Sequence, residues 1–288
     1  MVTPDTELLL DKSLDVIDEA VGICRYARIA PLFSGGHDSY CACFVASQHR
    51  KFDGNVYHIN TGIGSKATRD FVEQVCKDEG WKLNILKSPN TYEDRIRESG
   101  FPGPAMHSYT YHALKERCVN MITKIGKSHH PTILVTGARA AESRRRMGHV
   151  VPVRVGEVYQ NSNGRASARH RIWTAPCYDW SSEDQHDFMN LHQMPRNPVK
   201  QSILGMSGEC FCGAFARPNE IDMIREVVPD VAAEIDRLQI VAQECGHPPD
   251  RCVYGGPRNK GEQILETGPL CTSCDNKARQ AGLNIIQR

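Results

Sequence analysis

The chain has 288 residues and carries 35 Lys and Arg against 34 Asp and Glu, for a formal net charge of +1. Bulk charge so near zero selects neither nucleic acid nor a membrane surface, no apolar run approaches the roughly 20 residues of a spanning helix, and the acidic N-terminal stretch is unlike a secretory leader. The expectation is a cytoplasmic protein, one large body with an appendage, whose twelve cysteines serve as core thiols or metal ligands rather than as a disulfide framework.

Apolar residues at helical spacing (Leu8, Leu9, Leu14, Ile17, Val21, Ile23) predict a helix over Thr6–Tyr26, leading into a short buried strand at Arg28–Phe33. The next residues are Ser34-Gly35-Gly36-His37-Asp38-Ser39, and a helix follows over Tyr40–His49. A strand that turns through Ser-Gly-Gly into a helix aims free backbone N–H groups and the positive end of the helix dipole at one point, which suits phosphate. Ser34 and Ser39 add hydroxyls, and Asp38 can cap the helix or help hold Mg2+. The spacing is neither the Walker loop nor the dinucleotide Gly-x-Gly-x-x-Gly turn. The bland alternative is an ordinary capped glycine turn.

Further along, Asn55–Asn60 reads as a strand running into Asn60-Thr61-Gly62, Lys66–Glu79 as a helix, and Lys82–Leu86 as a third strand. This alternation predicts a parallel sheet with right-handed crossovers, whose ligands sit at the carboxyl ends of the strands. Ser108–Lys127 reads as one helix and Thr132–Thr136 as a buried strand, after which come Gly137, Arg139, Glu142, Ser143 and Arg144. Arginines at that edge suit phosphate, and Glu142 can orient one of them or help hold Mg2+; a solvated arginine-rich helix start is the alternative. From Val150 to Trp173 the alternation around Asn163-Gly164 predicts a hairpin or flap, made basic by His149, Arg154, Arg165, Arg169, His170 and Arg171. Such a flap could close over an anionic substrate, including a nucleic acid backbone.

Cys24, Cys41, Cys43 and Cys76 sit in apolar helical surroundings and read as small core residues. Cys210, Cys212, Cys245, Cys252, Cys271 and Cys274 crowd the last third. Cys210-Phe211-Cys212 and Cys271-Thr272-Ser273-Cys274 are two close pairs, and two pairs can enclose one tetrahedral Zn2+ or one iron–sulfur cluster. Cys118, Cys245 and Cys252 compete with them as ligands.

The Ser34–Ser39 segment resembles the PP-loop of the ATP pyrophosphatases. Taken in order with Asn60-Thr61-Gly62, Gly137-x-Arg139-x-x-Glu142-Ser143 and Pro176-x-x-Asp179-Trp180, it is similar to the phosphoadenosine phosphosulfate (PAPS) reductase family of the adenine-nucleotide α-hydrolase-like superfamily. The helix Ser181–His192, Met194-Pro195, Asn197-Pro198 and Gly208-Glu209-Cys210-Phe211-Cys212 extend the resemblance, which runs from Arg28 to Leu238. It implies an α/β fold with a doubly wound, mostly parallel sheet and a Cys-rich C-terminal extension, divided as 1–195 and 196–288.

The resemblance further implies an adenine nucleotide, ATP with Mg2+, held by Ser34, Gly35, Gly36, His37, Ser39, Asn60, Thr61, Gly62, Gly137, Glu142 and Ser143. Asp38, Arg139 and Arg144 would serve catalysis. Family precedent makes the metal group a 4Fe-4S cluster on Cys210, Cys212, Cys271 and Cys274, with Zn2+ the alternative, and Cys118 sits where relatives often carry a cluster cysteine. Because the loop is intact, the implied reaction is ATP pyrophosphatase chemistry that adenylates an acceptor for sulfur transfer, nearest in type to DNA phosphorothioation enzymes. DNA, RNA and a small metabolite all fit as the acceptor, with the basic flap tilting toward a polyanion such as DNA or RNA; a sulfur-donor protein would assist, and a homo-oligomer is compatible. One alternative is a PAPS or APS reductase using Cys245, since Glu244-Cys245-Gly246-His247 is close to the reductase motif. The other is a non-catalytic ATP-binding subunit of a nucleic-acid-modifying complex.

Overall fold

Strand β1 (Arg28–Pro31) is buried from its second residue onward, and β4 (Thr132–Val135) is buried throughout. Short apolar strands buried on both faces belong to the middle of a parallel sheet. They lie there in the computed structural model, which describes residues 4–125, 131–141, 151–155, 158–160, 166–168, 171–216 and 219–256. β1 pairs parallel with β4 and β4 parallel with β8 (Arg171–Thr174), so Ile29, Ile133 and Ile172 fall in one register row. β5 (Val153–Val155) closes that edge antiparallel to β8. On the other side, Leu32 bridges parallel to Tyr57 of β2 (Asn55–Asn60), which pairs with β3 (Lys82–Lys87). The fold is thus the expected α/β arrangement with a mostly parallel sheet.

The described residues pack as two compact units: those within 1–59, 72–85 and 119–195 form the first, and those within 60–71, 86–118 and 196–256 the second. The first holds the sheet with helices α1 (Pro4–Ile23) and α2 (His37–Gln48) and a core that includes Phe33, Tyr40 and Trp81. Trp81 meets both other rings edge-on, at 6.5 Å and 6.1 Å between centroids. Cys41, Cys43 and Cys76 are buried as expected, and burial pushes the Cys76 thiol up to about 12. Cys24 is only partly buried. The second unit is built on a separate apolar cluster that includes Ile63, Tyr92, Ile96, Phe101, Phe211 and Ile235.

Two stretches differ from the sequence expectation. The single helix expected over Ser108–Lys127 is α5 (His107–Tyr111), one π-helical turn at His112–Glu116, and α6 (Arg117–Lys124). Of the flap expected over 150–173, the described residues pair β6 (Val158–Gln160) with β7 (Ala166–Ala168) antiparallel, while β5 and β8 belong to the main sheet, and the expected Asn163-Gly164 turn lies outside the described residues. Arg171 is buried, bonding Asn120 with its guanidinium 5.6 Å from the Trp173 ring, so it is a core residue and not part of a basic surface.

Candidate nucleotide site

The chain leaves β1 at the carboxyl edge of the sheet and reverses through Ser34–Gly36 into α2. Gly35 has φ +80°, a conformation that costs a non-glycine residue roughly 1–2 kcal/mol. Gly36 is the N-cap, extended and with no side-chain cap for the helix. An N-terminus lacking a side-chain acceptor is where an external anion is most useful to a helix. The turn itself is pinned by Ser39, whose hydroxyl donates to the Gly36 carbonyl (2.9 Å), accepts the Ser34 N–H (3.2 Å) and lies 3.0 Å from the Ser34 hydroxyl.

The end of β4 comes against this turn. A Cβ on Gly137 would sit 2.4 Å from both the Asp38 carbonyl carbon and the Ser39 nitrogen, so only glycine permits the approach. Two residues on, the Arg139 Nε donates to Asp38 Oδ1 and its Nη1 to the Trp180 carbonyl (3.2 Å). The arginine is nearly buried, whereas the Asp38 side chain keeps 22% of its surface exposed. The structure thus sets Arg139 against this loop, with Asp38 as its partner. Sequence reasoning missed one participant: Gln185, in helix α7 (Ser182–Leu191), also donates to Asp38 Oδ1. A glutamine in the first turn of an amphipathic helix carries no local signal of such a role. Glu142, Ser143 and Arg144 lie outside the described residues, as do His149, Arg165, Arg169 and His170 of the basic stretch. Its described member besides Arg171 is Arg154, with its guanidinium 6.0 Å from the Trp173 ring.

Asn60, Thr61 and Gly62 belong to the second unit. There the Asn60 side chain accepts the Gly62 N–H (2.9 Å), and the buried Thr61 hydroxyl donates to the Glu209 carbonyl (2.8 Å). The Glu209 carboxylate is buried against Lys115 (2.6 Å), and its other oxygen has no hydrogen-bond partner among the described residues. Burial alone would pull the Lys115 ammonium down, but Glu209 and Cys210 more than offset it and hold the group above its ordinary range.

The thiols next to Glu209 test the metal expectation. Cys210 shares a hydrogen bond with Cys212, which together with burial holds its thiol well above the usual value. The Cys118 thiol donates to the Leu114 carbonyl (3.5 Å), and burial with the Glu209 charge pushes it up to about 11. Among the described residues no three His, Cys, Asp or Glu side chains are disposed to hold a metal ion. Cys271 and Cys274 lie outside the described residues. The described thiols beside Glu209 thus supply a pair, short of the four thiolates a cluster or zinc site requires.

Cys245 has a structural explanation. Helix α10 (Pro229–Glu244) ends on Cys245 as C-cap, the Gly246 N–H donates to Gln243 (2.9 Å) and the His247 N–H to Ala242 (3.3 Å). With Gly246 at φ +73° this is a Schellman stop, so a helix-ending glycine accounts for the Cys-Gly-His sequence. The thiol is nonetheless exposed and lies beside the Arg97 guanidinium.

Residues 28–202 match the model of the phosphoadenosine phosphosulfate reductase domain, a span that takes in the turn, Arg139 and Gln185. A protein of Methanocaldococcus jannaschii, itself uncharacterized, is 25% identical over 252 residues, covering 86% of this chain and 56% of its own length, so the chain spans about half of that relative. Among solved structures, the PAPS reductase of Candida auris in a phosphate complex superposes with a TM-score of 0.45 at 15% identity, over 70% of this chain and 92% of that one. Yeast FAD synthetase bound to FAD gives 0.43 at 12% identity, over 89% and 90%.

Proposed function

Because the chain belongs to the phosphoadenosine phosphosulfate reductase domain family, we propose that it is an enzyme acting on an adenine nucleotide, and that the nucleotide is ATP. The observation that carries this reading is the intact Ser34–Ser39 turn, whose glycine N-cap supplies no side-chain acceptor of its own. A triphosphate offers the turn its β- and γ-phosphates, where backbone N–H groups and the helix dipole favour negative charge.

In this reading an acceptor oxygen attacks the α-phosphorus in line, the α–β bridging bond breaks, and pyrophosphate leaves with the electron pair. The chain needs no side-chain nucleophile, because positioning and charge stabilisation carry phosphoryl and nucleotidyl transfer. Asp38 presents a partly exposed carboxylate, the hard oxygen donor that Mg2+ takes alongside phosphate oxygens, so it would hold the metal that screens the triphosphate. Arg139 would exchange Asp38 for the α-phosphate as charge develops there. Sulfide-level sulfur from a donor protein then displaces AMP from the adenylated acceptor, and a nucleic acid is the acceptor class we favour, as in DNA phosphorothioation.

The test is pyrophosphate release with candidate acceptors. Charge stabilisation of this kind contributes about 3 kcal/mol per donor, so Arg139→Ala lowers kcat by about a hundredfold or more. Arg139→Lys recovers little, because an ammonium lacks the planar fork that spans Asp38 and Trp180. Full turnover by Arg139→Ala would contradict the assignment. A second reading, sulfonucleotide reduction, draws on the exposed Cys245 thiol beside Arg97. It requires sulfite release from PAPS or APS that Cys245→Ser abolishes.

A further inference from the structure

We infer that Gln185 is a positioning residue of the nucleotide site: it anchors Oδ1 of Asp38, keeping the carboxylate aimed at the metal–nucleotide when Arg139 leaves it for phosphate. The inference rests on the ATP reading for its ligand, and on the structure of the first unit for its geometry.

Both donors that reach Asp38, the Arg139 Nε and the Gln185 Nε2, fall on the same oxygen, Oδ1. No described residue bonds Oδ2, and the side chain is part-exposed. Among the described residues the carboxylate is therefore held by one edge, as a monodentate metal ligand needs to be. The two donors differ in what they can do next. Arg139 is a cation and is attracted to a transferring phosphoryl group; Gln185 is neutral and is not. If Arg139 were the sole anchor, its departure would leave Asp38 without a donor at the moment its direction matters. A lysine or arginine at position 185 would repel the metal ion, and a glutamate would repel Asp38, so a neutral amide is the side chain the position calls for.

The scaffold supports this. Gln185 lies in the first turn of α7, fixed by a reciprocal Ser181–Asp184 capping box and by its own N–H to the Ser181 carbonyl (3.2 Å). Phe188 of the same helix packs 4.7 Å from the Trp180 ring. Trp180 is anchored through its indole N–H to Ser13 (3.0 Å), and its carbonyl is the second partner of Arg139. One rigid segment, 180–188, thus fixes both donors relative to Asp38, the arrangement expected of a preorganised site.

The first test needs no ligand. A double-mutant cycle of Asp38→Ala and Gln185→Ala, read as thermal midpoints of the full chain, gives a double mutant that loses less than the sum of the singles. The second titrates ATP into wild type, Gln185→Ala and Gln185→Glu at graded Mg2+. A hydrogen bond to a charged group is worth at least about tenfold, so Gln185→Ala raises the half-saturating Mg2+ by about tenfold while magnesium-free ATP affinity moves less than about twofold. Gln185→Glu, nearly isosteric but without the donor, is impaired at least as much. Additive midpoints, or a Mg2+ dependence in both variants equal to wild type, overturn the inference. If wild type binds no ATP at any Mg2+, the ATP reading falls instead; Gln185 is then judged on the ligand-free cycle, where non-additivity sustains its anchoring of Asp38 and additivity ends it.

Discussion

At Gly137 one methyl group decides whether β4 can meet the start of α2. A Cβ there would overlap the Asp38–Ser39 peptide at 2.4 Å, and backbone on both sides cannot step aside as a flexible side chain could. Gly137→Ala therefore costs the about 1–3 kcal/mol of an overpacked core, read as a lower urea midpoint, and weakens ATP binding because the displaced atoms form the turn. A midpoint and affinity equal to wild type would show that the approach is looser than described. The glycines and Asp38 were legible in the sequence because the turn demands those residue types at that spacing. Arg139 was legible as a cation at the ligand edge, but its burial was not. The Trp180 carbonyl that covers it comes from a segment 41 positions away, which no local pattern encodes.

At the scale of elements, the strands of the sheet core were readable wherever an apolar run was unbroken. β8 was not, because Arg171 opens it and disguises a buried strand as the end of a basic hairpin. The π-helical turn at His112–Glu116 also lacked a signal, since no glycine or proline marks it. The end of α10 was readable from Gly246. Nothing lies within 4 Å of a Cβ there, so Gly246→Ala meets only the backbone cost of φ +73°, about 1 kcal/mol by thermal denaturation. A loss several times larger would mean that Cys245-Gly246 does more than end a helix. The C-cap of α7 carries a pH dependence. His192 lies 4.6 Å from the Phe44 ring and 4.4 Å from Phe188, and burial holds its imidazole below its ordinary value. The unfolded chain therefore takes up this proton first, and His192 withdraws stability as pH falls from about 6.5 through the folded-state value. His192→Phe removes that step, so its midpoint gains on wild type between about pH 7.5 and about pH 5.5. A constant gap across that window would contradict it.

For the whole molecule, the near-neutral charge and the family assignment are compatible with the proposed ATP-dependent activity, with specificity concentrated in a few buried or half-buried groups rather than in the overall field. Its two units each have their own apolar core, and the Ser34–Ser39 turn with Asp38, Gly137, Arg139 and Gln185 is contained within the first. The described thiols, apart from the exposed Cys245, are largely buried or hydrogen-bonded, and those whose values shift are held in the protonated range. Among described residues, chemistry at sulfur therefore has Cys245 as its accessible candidate, while chemistry at phosphorus has a complete turn. These alternatives predict different ligands. The most direct measurement is the thermal midpoint of the anaerobically purified chain with Mg2+ and, separately, ATP, APS and PAPS. A ligand at about 100 times its Kd adds about 2.7 kcal/mol of stability, a plainly visible shift. With ATP as the ligand, ATP raises the midpoint, and Arg139→Ala and Gly137→Ala blunt the rise. Stabilisation by APS or PAPS with ATP silent would contradict the ATP reading and make Cys245 the reacting residue.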